Sequence, residues 1–193
     1  MGQIRIISGQ WGRRRLTVQD RPGLRPTSDR ARETLFNWLE SWMPWPWHAV
    51  HVLDGYAGSG VLGLESASRG AASVTMIEQD PIAVRSIATA LSTLGAPASV
   101  RLLQGRFLDQ LAMQAQPFHL AFLDPPFGKG LLIESLRALS AHLVPEAMVY
   151  VESETAWPSG LAETDQQAWT VVRAAKTGQS HQTLLQRLRS PSE

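Results

Sequence analysis

Two short segments carry residue types that could do chemistry. The first, Asp54-Gly55-Tyr56-Ala57-Gly58-Ser59-Gly60, follows the apolar run Ala49 to Leu53 and precedes Val61-Leu62-Gly63-Leu64. An apolar, partly β-branched run bounded by glycines reads as a buried strand. Glycines in the loop after it let the backbone approach a ligand closely, and the apolar spacing beyond suits a helix whose leading N–H groups point at that ligand. Gly58 to Gly63 matches G-x-G-x-x-G, and Glu78 lies twenty residues past Gly58, as in the dinucleotide fingerprint with its ribose acid. Two features oppose NAD: an Asp-Gly-Tyr-Ala insert separates the strand from the first fingerprint glycine, and 193 residues are short for two mononucleotide halves plus a substrate domain. The second segment, Asp124-Pro125-Pro126-Phe127, ends the apolar run Leu120 to Leu123. Ligands of open α/β sheets sit outside the carboxyl ends of strands, so both segments should open on one crevice.

The elements that must position them alternate. Gln3 to Ile7 and Arg15 to Val18 read as a hairpin, Arg21 to Pro26 as extended loop, and Asp29 to Trp42 as a helix with Leu35, Phe36, Leu39 and Trp42 in its apolar stripe. Thr27, Ser28 or Asp29 can cap that helix. Strands are expected at Ser73 to Ile77, Val100 to Gln104, Leu120 to Leu123 and Met148 to Glu152, and helices at Pro81 to Leu94, Phe107 to Met113 and Leu131 to His142. Trp169 to Ala175 and Thr183 to Leu188 read as an antiparallel pair around Gly178. This order implies a doubly wound α/β domain with a mostly parallel sheet. Residues 1–27 form a basic hairpin arm, 28–189 the main domain and 190–193 a frayed tail. Trp38, Trp42, Trp45 and Trp47 are expected to cover the seam between arm and sheet.

Composition narrows the function. A hydrophobic fraction of 44% supports a sizeable core, and the absence of cysteine excludes disulfides, thiolate zinc sites and cysteine-based methylation of pyrimidine C5. No apolar run reaches membrane-spanning length and no signal peptide is evident, so the cytoplasm is the expected compartment. Residues 1–32 hold eight arginines against Asp20 and Asp29, whereas the rest of the chain is net acidic. A basic arm that uses arginine and no lysine suggests a polyanion bound through phosphate and base contacts. Metal is not expected: His48 and His51, read as neighbours on one strand, would face opposite sides, and His119, His142 and His181 are isolated. Gly128-Lys129-Gly130 lacks the spacing and hydroxyl of a P-loop.

Asp-Pro-Pro-Phe resembles the Asp/Asn-Pro-Pro-Tyr/Phe signature of class I S-adenosylmethionine (SAM) methyltransferases that modify exocyclic base amines, and Asp54 to Gly60 resembles their cofactor loop. Together with the hairpin and the Arg25 to Asn37 stretch, the sequence resembles the RsmD family, which methylates N2 of a guanine in 16S ribosomal RNA, over about residues 3 to 189. The resemblance implies a Rossmann-like, seven-stranded mostly parallel sheet with an antiparallel last strand, plus the N-terminal β-hairpin. It implies SAM as cofactor, 16S rRNA or the assembling small subunit as partner, and a monomer is expected. Glu78, with Gln79 beside it, corresponds to the acid on the ribose hydroxyls, and Asp54 to the acid below the methionine end. Relatives often carry an adenine-contacting acid where Arg106 stands here, so Phe107 is a candidate to stack on the adenine.

An exocyclic amine is a poor nucleophile because its lone pair is delocalised, so alignment is the main task, worth roughly 7–11 kcal/mol in favourable cases. By the resemblance, Asp124 accepts one amine N–H and the Pro125 carbonyl the other, Pro126 helps hold that carbonyl, and Phe127 stacks on the base. Arg25, Thr27, Arg30 and Arg32 are candidates near the target base, Arg13, Arg14 and Arg15 for backbone phosphates, and Lys129 for the phosphate of a flipped nucleotide. Alternatives are an amino methyltransferase on adenine N6 or a protein amide, an NAD-dependent oxidoreductase, and a basic RNA-binding module with a vestigial SAM site.

Overall fold

The computed structural model describes residues 2–18, 28–157 and 163–188. Arg25, Thr27, the loop from 21 to 26, the arm boundary at 27 and the tail from 190 lie outside these residues. In chain order the elements are β1 (Gly2–Arg5), β2 (Arg15–Val18), α1 (Asp29–Trp42), a 3-10 turn (Trp47–Ala49), β3 (His51–Asp54), α2 (Val61–Ser68), β4 (Ser73–Glu78) and α3 (Pro81–Leu94). They continue with β5 (Val100–Gln104), α4 (Phe107–Leu111), β6 (Phe118–Leu123), α5 (Leu131–Ser140), β7 (Leu143–Ser153), α6 (Glu163–Gln166), β8 (Trp169–Thr177) and β9 (Ser180–Arg187).

Seven strands form one sheet in the order β5-β4-β3-β6-β7-β9-β8, and β1 pairs with β2 in a separate antiparallel hairpin. The pairs from β5 to β7 are all parallel, and β9 runs antiparallel to both neighbours. The expected mostly parallel sheet with a reversed last strand is therefore present. Side chains alternate across it as the pleat requires. Val52, Phe122 and Tyr150 enter a core shared with α1, α2, α3 and the hairpin. Leu53, Leu123 and Val151 enter the opposite core with α4 and α5.

The helix boundaries follow their caps. Ser28 Oγ accepts from the Ala31 N–H at 3.2 Å and starts α1. Asp80 caps α3 before Pro81 at the first helical position, and Gly95 ends it with φ 62°. Two expectations need correction. Trp42 leaves the apolar stripe: it is 45% exposed, with the Arg173 guanidinium 4.6 Å from its ring centre. His48 belongs to the 3-10 turn and not to the strand of His51.

The hairpin is built onto the end of α2. Ile4, Ile6, Trp11 and Leu16 are buried in the first core. The Gln10 N–H donates to the Ser68 carbonyl at 2.8 Å, the Trp11 N–H donates to Ser68 Oγ at 3.0 Å, and Glu65, fully buried, accepts from the Ile7 N–H and from Arg69. The first of these bonds satisfies a carbonyl that the helix end leaves open. Gly9 makes the contact possible: its φ is +78°, and a Cβ there would lie 1.9 Å from the Ser68 oxygen. Gly9→Ala should therefore lift the turn from α2, costing about 2 kcal/mol in urea unfolding and speeding tryptic cleavage at Arg13 to Arg15. Wild-type cleavage rates in that variant would show that the hairpin is held elsewhere.

Candidate active site

The carboxyl edge of the sheet brings the two chemically loaded segments together. Asp54 at the end of β3 pairs in register with Phe122 of β6, and the Gly55 N–H donates to the Phe122 carbonyl at 3.0 Å. Asp124 leaves β6 just beyond that rung. The glycine loop and the Asp-Pro-Pro-Phe corner thus open on the same edge, as expected. Pro125 is buried beneath the corner, while Pro126, Phe127 and Lys129 are exposed, Phe127 at 44%. The Gly128 N–H donates to the Glu154 carboxylate at 2.9 Å, which ties the segment after the corner to the residue that follows β7.

The loop is shaped by two acids. Asp54 is buried, and its Oδ2 accepts the Gly63 N–H at 2.9 Å, so it meets the positive end of α2 from below. Glu78 accepts the Gly58 N–H at 2.7 Å on one oxygen and the Asp80 N–H at 2.8 Å on the other, which fixes its carboxylate beside the loop. Ala57 N–H reaches the Ile77 carbonyl at 3.0 Å, and Gly60 turns into α2 at φ 76° with no side-chain cap. Ser59 is half-buried at the crest of this turn and Gln79 is exposed after Glu78.

Phe107 supports the loop. It is buried, its ring stacks on Tyr56 with centroids 5.1 Å apart, and a Cβ on Gly55 would fall 2.6 Å from it. The Tyr56 hydroxyl in turn bonds Ser135 Oγ at 2.7 Å. Tyr56 therefore covers one face of the Phe107 ring, while Arg106 next to it is exposed at the start of α4.

Electrostatics at this edge are unusual. Burial, and then the charge of Glu78, push the Asp54 carboxyl up from 3.8 to about 7 against the opposing Gly63 hydrogen bond. Burial, followed by the charges of Glu152 and Asp54, raises Asp124 to about 7 as well. Among the described residues no donor reaches the Asp124 carboxyl and no cation pairs with Asp54, Asp124 or Glu152. Such an edge favours a cationic ligand. It opposes a pyrophosphate, and the Gly63 N–H that would meet one already serves Asp54. No set of three His, Asp or Glu side chains among the described residues could hold a metal ion.

The basic candidates separate. Arg13, Arg14, Arg15 and Arg30 are exposed, on the hairpin turn and the first turn of α1. Arg32 is not presented to solvent: it is 1% exposed and donates to the Arg5 carbonyl at 2.6 Å and to Asp29 at 2.7 Å. It joins the hairpin to α1 instead of meeting RNA. Glu152 and Tyr150 of β7 and Ser180 of β9 were missed as site residues. The rule that placed Asp124 at a strand's carboxyl end applies equally to Glu152.

A seven-stranded sheet with this order, a reversed last strand and a glycine loop after β3 is the class I methyltransferase fold. The sequence matches the family described as Conserved hypothetical protein 95 over residues 4–186. Ribosomal RNA small subunit methyltransferase D of Escherichia coli (strain K12) is 44% identical over 188 residues, covering 96% of this chain and 91% of that one. The protein of the same name from Haemophilus influenzae is 41% identical over 182 residues, covering 92% and 90%. The solved structure of yhhF from Escherichia coli matches with a TM-score of 0.82 at 42% identity, over 98% of this chain and 100% of that one. HI0767 from Haemophilus influenzae matches at 0.79 and 36%, over 97% and 100%. The chain belongs to this family, the RsmD methyltransferases.

A raised carboxyl favours the folded state below its unfolded value and loses that contribution as pH climbs through the folded one. For Asp54 the loss runs from pH 3.8 to about 7. Asp54→Asn keeps an acceptor for Gly63 and removes the charge. Its melting temperature at pH 8 should rise by roughly 5–10 °C, with a flatter decline between pH 4 and 7. A variant no more stable than wild type at pH 8 would show that Asp54 is not a buried liability.

Proposed function

We propose that this protein transfers a methyl group from SAM to the exocyclic N2 amine of a guanine in 16S ribosomal RNA. The observation that carries the reading is the Asp124 carboxyl, held without a protein donor on the same edge as the glycine loop. An acceptor left open beside that loop suits a substrate N–H. The names of the relatives support ribosomal RNA as the substrate.

The residues present suit SAM. Asp54, Asp124 and Glu152 favour the sulfonium and ammonium charges, Glu78 is fixed where two vicinal hydroxyls would meet it, and Gly60 starts α2 without a side chain in the way. When bound, SAM would supply a methyl carbon on positively charged sulfur that an amine lone pair can attack, with the sulfur leaving as the neutral thioether of S-adenosylhomocysteine. Asp124 accepts one amine N–H, and the Pro125 carbonyl takes the other. Drawing both protons toward acceptors pulls the nitrogen out of conjugation and aims its lone pair across the edge. Phe127, exposed at the corner, stacks on the base, a contact worth about 1–3 kcal/mol. Arg13 to Arg15 and Arg30 hold the RNA backbone, and Lys129 meets a phosphate beside the target nucleotide.

Labelled SAM and 16S rRNA lacking the mark should yield N2-methylguanosine on nucleoside analysis. Label on adenine N6, or NADH binding without a response to SAM, would contradict the reading. Asp124→Ala should lower kcat/KM by about 10²–10⁴ with RNA affinity retained; equal loss of both would place Asp124 in the fold alone. Because Asp124 accepts best when ionised and sits at about 7, wild-type kcat/KM should rise from pH 6 to 8 with a midpoint near 7. The limb should vanish in Asp124→Asn, whose amide oxygen accepts at every pH.

A further inference from the structure

Glu152 stands beside Asp124 by construction. Leu123 of β6 pairs with Val151 of β7, so Asp124 and Glu152 are the next residues along two adjacent parallel strands. Glu152 is buried, and both its oxygens accept hydroxyls: Oε1 from Tyr150 at 2.8 Å and Oε2 from Ser180 at 3.0 Å. Tyr150 lies on β7 itself and Ser180 opens β9, where Gln182 pairs in register with Glu152. The other charged groups acting on these two sites are acidic as well: Asp54 on β3 faces Asp124, and Glu78 on β4 faces Asp54, while His181 of β9 pairs in register with Ser153 next to Glu152 and Lys129 is exposed beyond the corner. No described cation offsets them.

We propose that Glu152, clamped by Tyr150 and Ser180, is a positioning residue that governs the ionisation of Asp124 and thereby the pH range of methyl transfer. The inference rests on the functional reading above, in which Asp124 receives the base amine. Two carboxyls on neighbouring strand ends in a poorly hydrated setting do not ionise independently. Donated hydrogen bonds favour the charged form of the group that receives them. Both clamps fix Glu152 in place beside Asp124, and no described donor reaches Asp124, so the effect of Glu152 on Asp124 is unopposed. Tyr150 remains a donor throughout, because burial and the adjacent acids hold its phenol far above its ordinary value. Asp124 is thereby poised to change state close to neutrality. It can accept an N–H as the base docks and take up the proton that the alkylated nitrogen must release.

Glu152→Gln removes the charge and keeps the shape. Two readouts apply: the Asp124 carboxyl followed by carbon-13 NMR in the free protein, and the pH profile of kcat/KM on unmethylated 16S rRNA. The Asp124 midpoint should fall by about one pH unit, and activity at pH 6 relative to pH 8 should rise about fivefold. An unmoved midpoint with activity scaled equally at every pH would assign Glu152 a structural role and overturn the proposal. Should Glu152→Gln fail to fold, Ser180→Ala removes one clamp and frees Glu152 to swing away from Asp124. The Asp124 midpoint then falls in the same direction, and a fixed midpoint refutes the proposal equally. A wild-type protein that transfers no methyl to guanine would sink the functional reading instead, while the NMR titration still judges the coupling.

Discussion

The parallel pairing of β3 with β6 is the constraint from which the site follows. Its last rung, from the Gly55 N–H to the Phe122 carbonyl at 3.0 Å, joins the start of one loop to the end of the neighbouring strand. A shift of one residue would turn Asp54 or Asp124 to the opposite face of the sheet. That register is enforced on both sides, because Val52 and Phe122 enter one core while Leu53 and Leu123 enter the other. The core therefore does more than stabilise: it sets the relative position of the two acids.

Those acids come at a cost in stability that the rest of the edge does not remove. Asp54 faces the N-terminal end of α2 and gains one backbone donor, yet its carboxyl still sits near neutrality. Asp124 lacks even that donor. Functional sites commonly keep groups that the fold alone would not choose. In the function proposed above, a cationic ligand and a base amine each satisfy what the protein leaves open. The same helix links the arm to this edge. The first turn of α2 meets Asp54, and its last carbonyl is capped by the hairpin loop at Gln10.

Much of this was legible in the chain itself, for local reasons. Asp29 to Trp42, Pro81 to Leu94 and Val100 to Gln104 match their elements to the residue because caps, proline and glycine sit at the ends. The alternation of strands and helices specified the sheet, and the rule for ligands at strand ends joined the two loops. What escaped depends on tertiary partners. β7 begins at Leu143 and not at the expected Met148, because pairing with β6 starts at Phe118–Leu143 and shifts register across Pro145 and the positive-φ Glu146 before Leu120–Met148. Arg32 looks like a free cation until Arg5 and Asp29 are brought to it. The stacking of Tyr56 on Phe107 has no local signal in the chain.

The most direct test of the shared crevice is the affinity of a bisubstrate compound in which guanine N2 is joined through a short tether to the 5′ carbon of adenosine. Titration calorimetry should show it binding at least about 100-fold more tightly than S-adenosylhomocysteine, with that gain lost in Asp124→Ala. A compound that binds no better than S-adenosylhomocysteine, or whose affinity ignores Asp124, would mean that donor loop and acid–diproline corner do not serve one reaction.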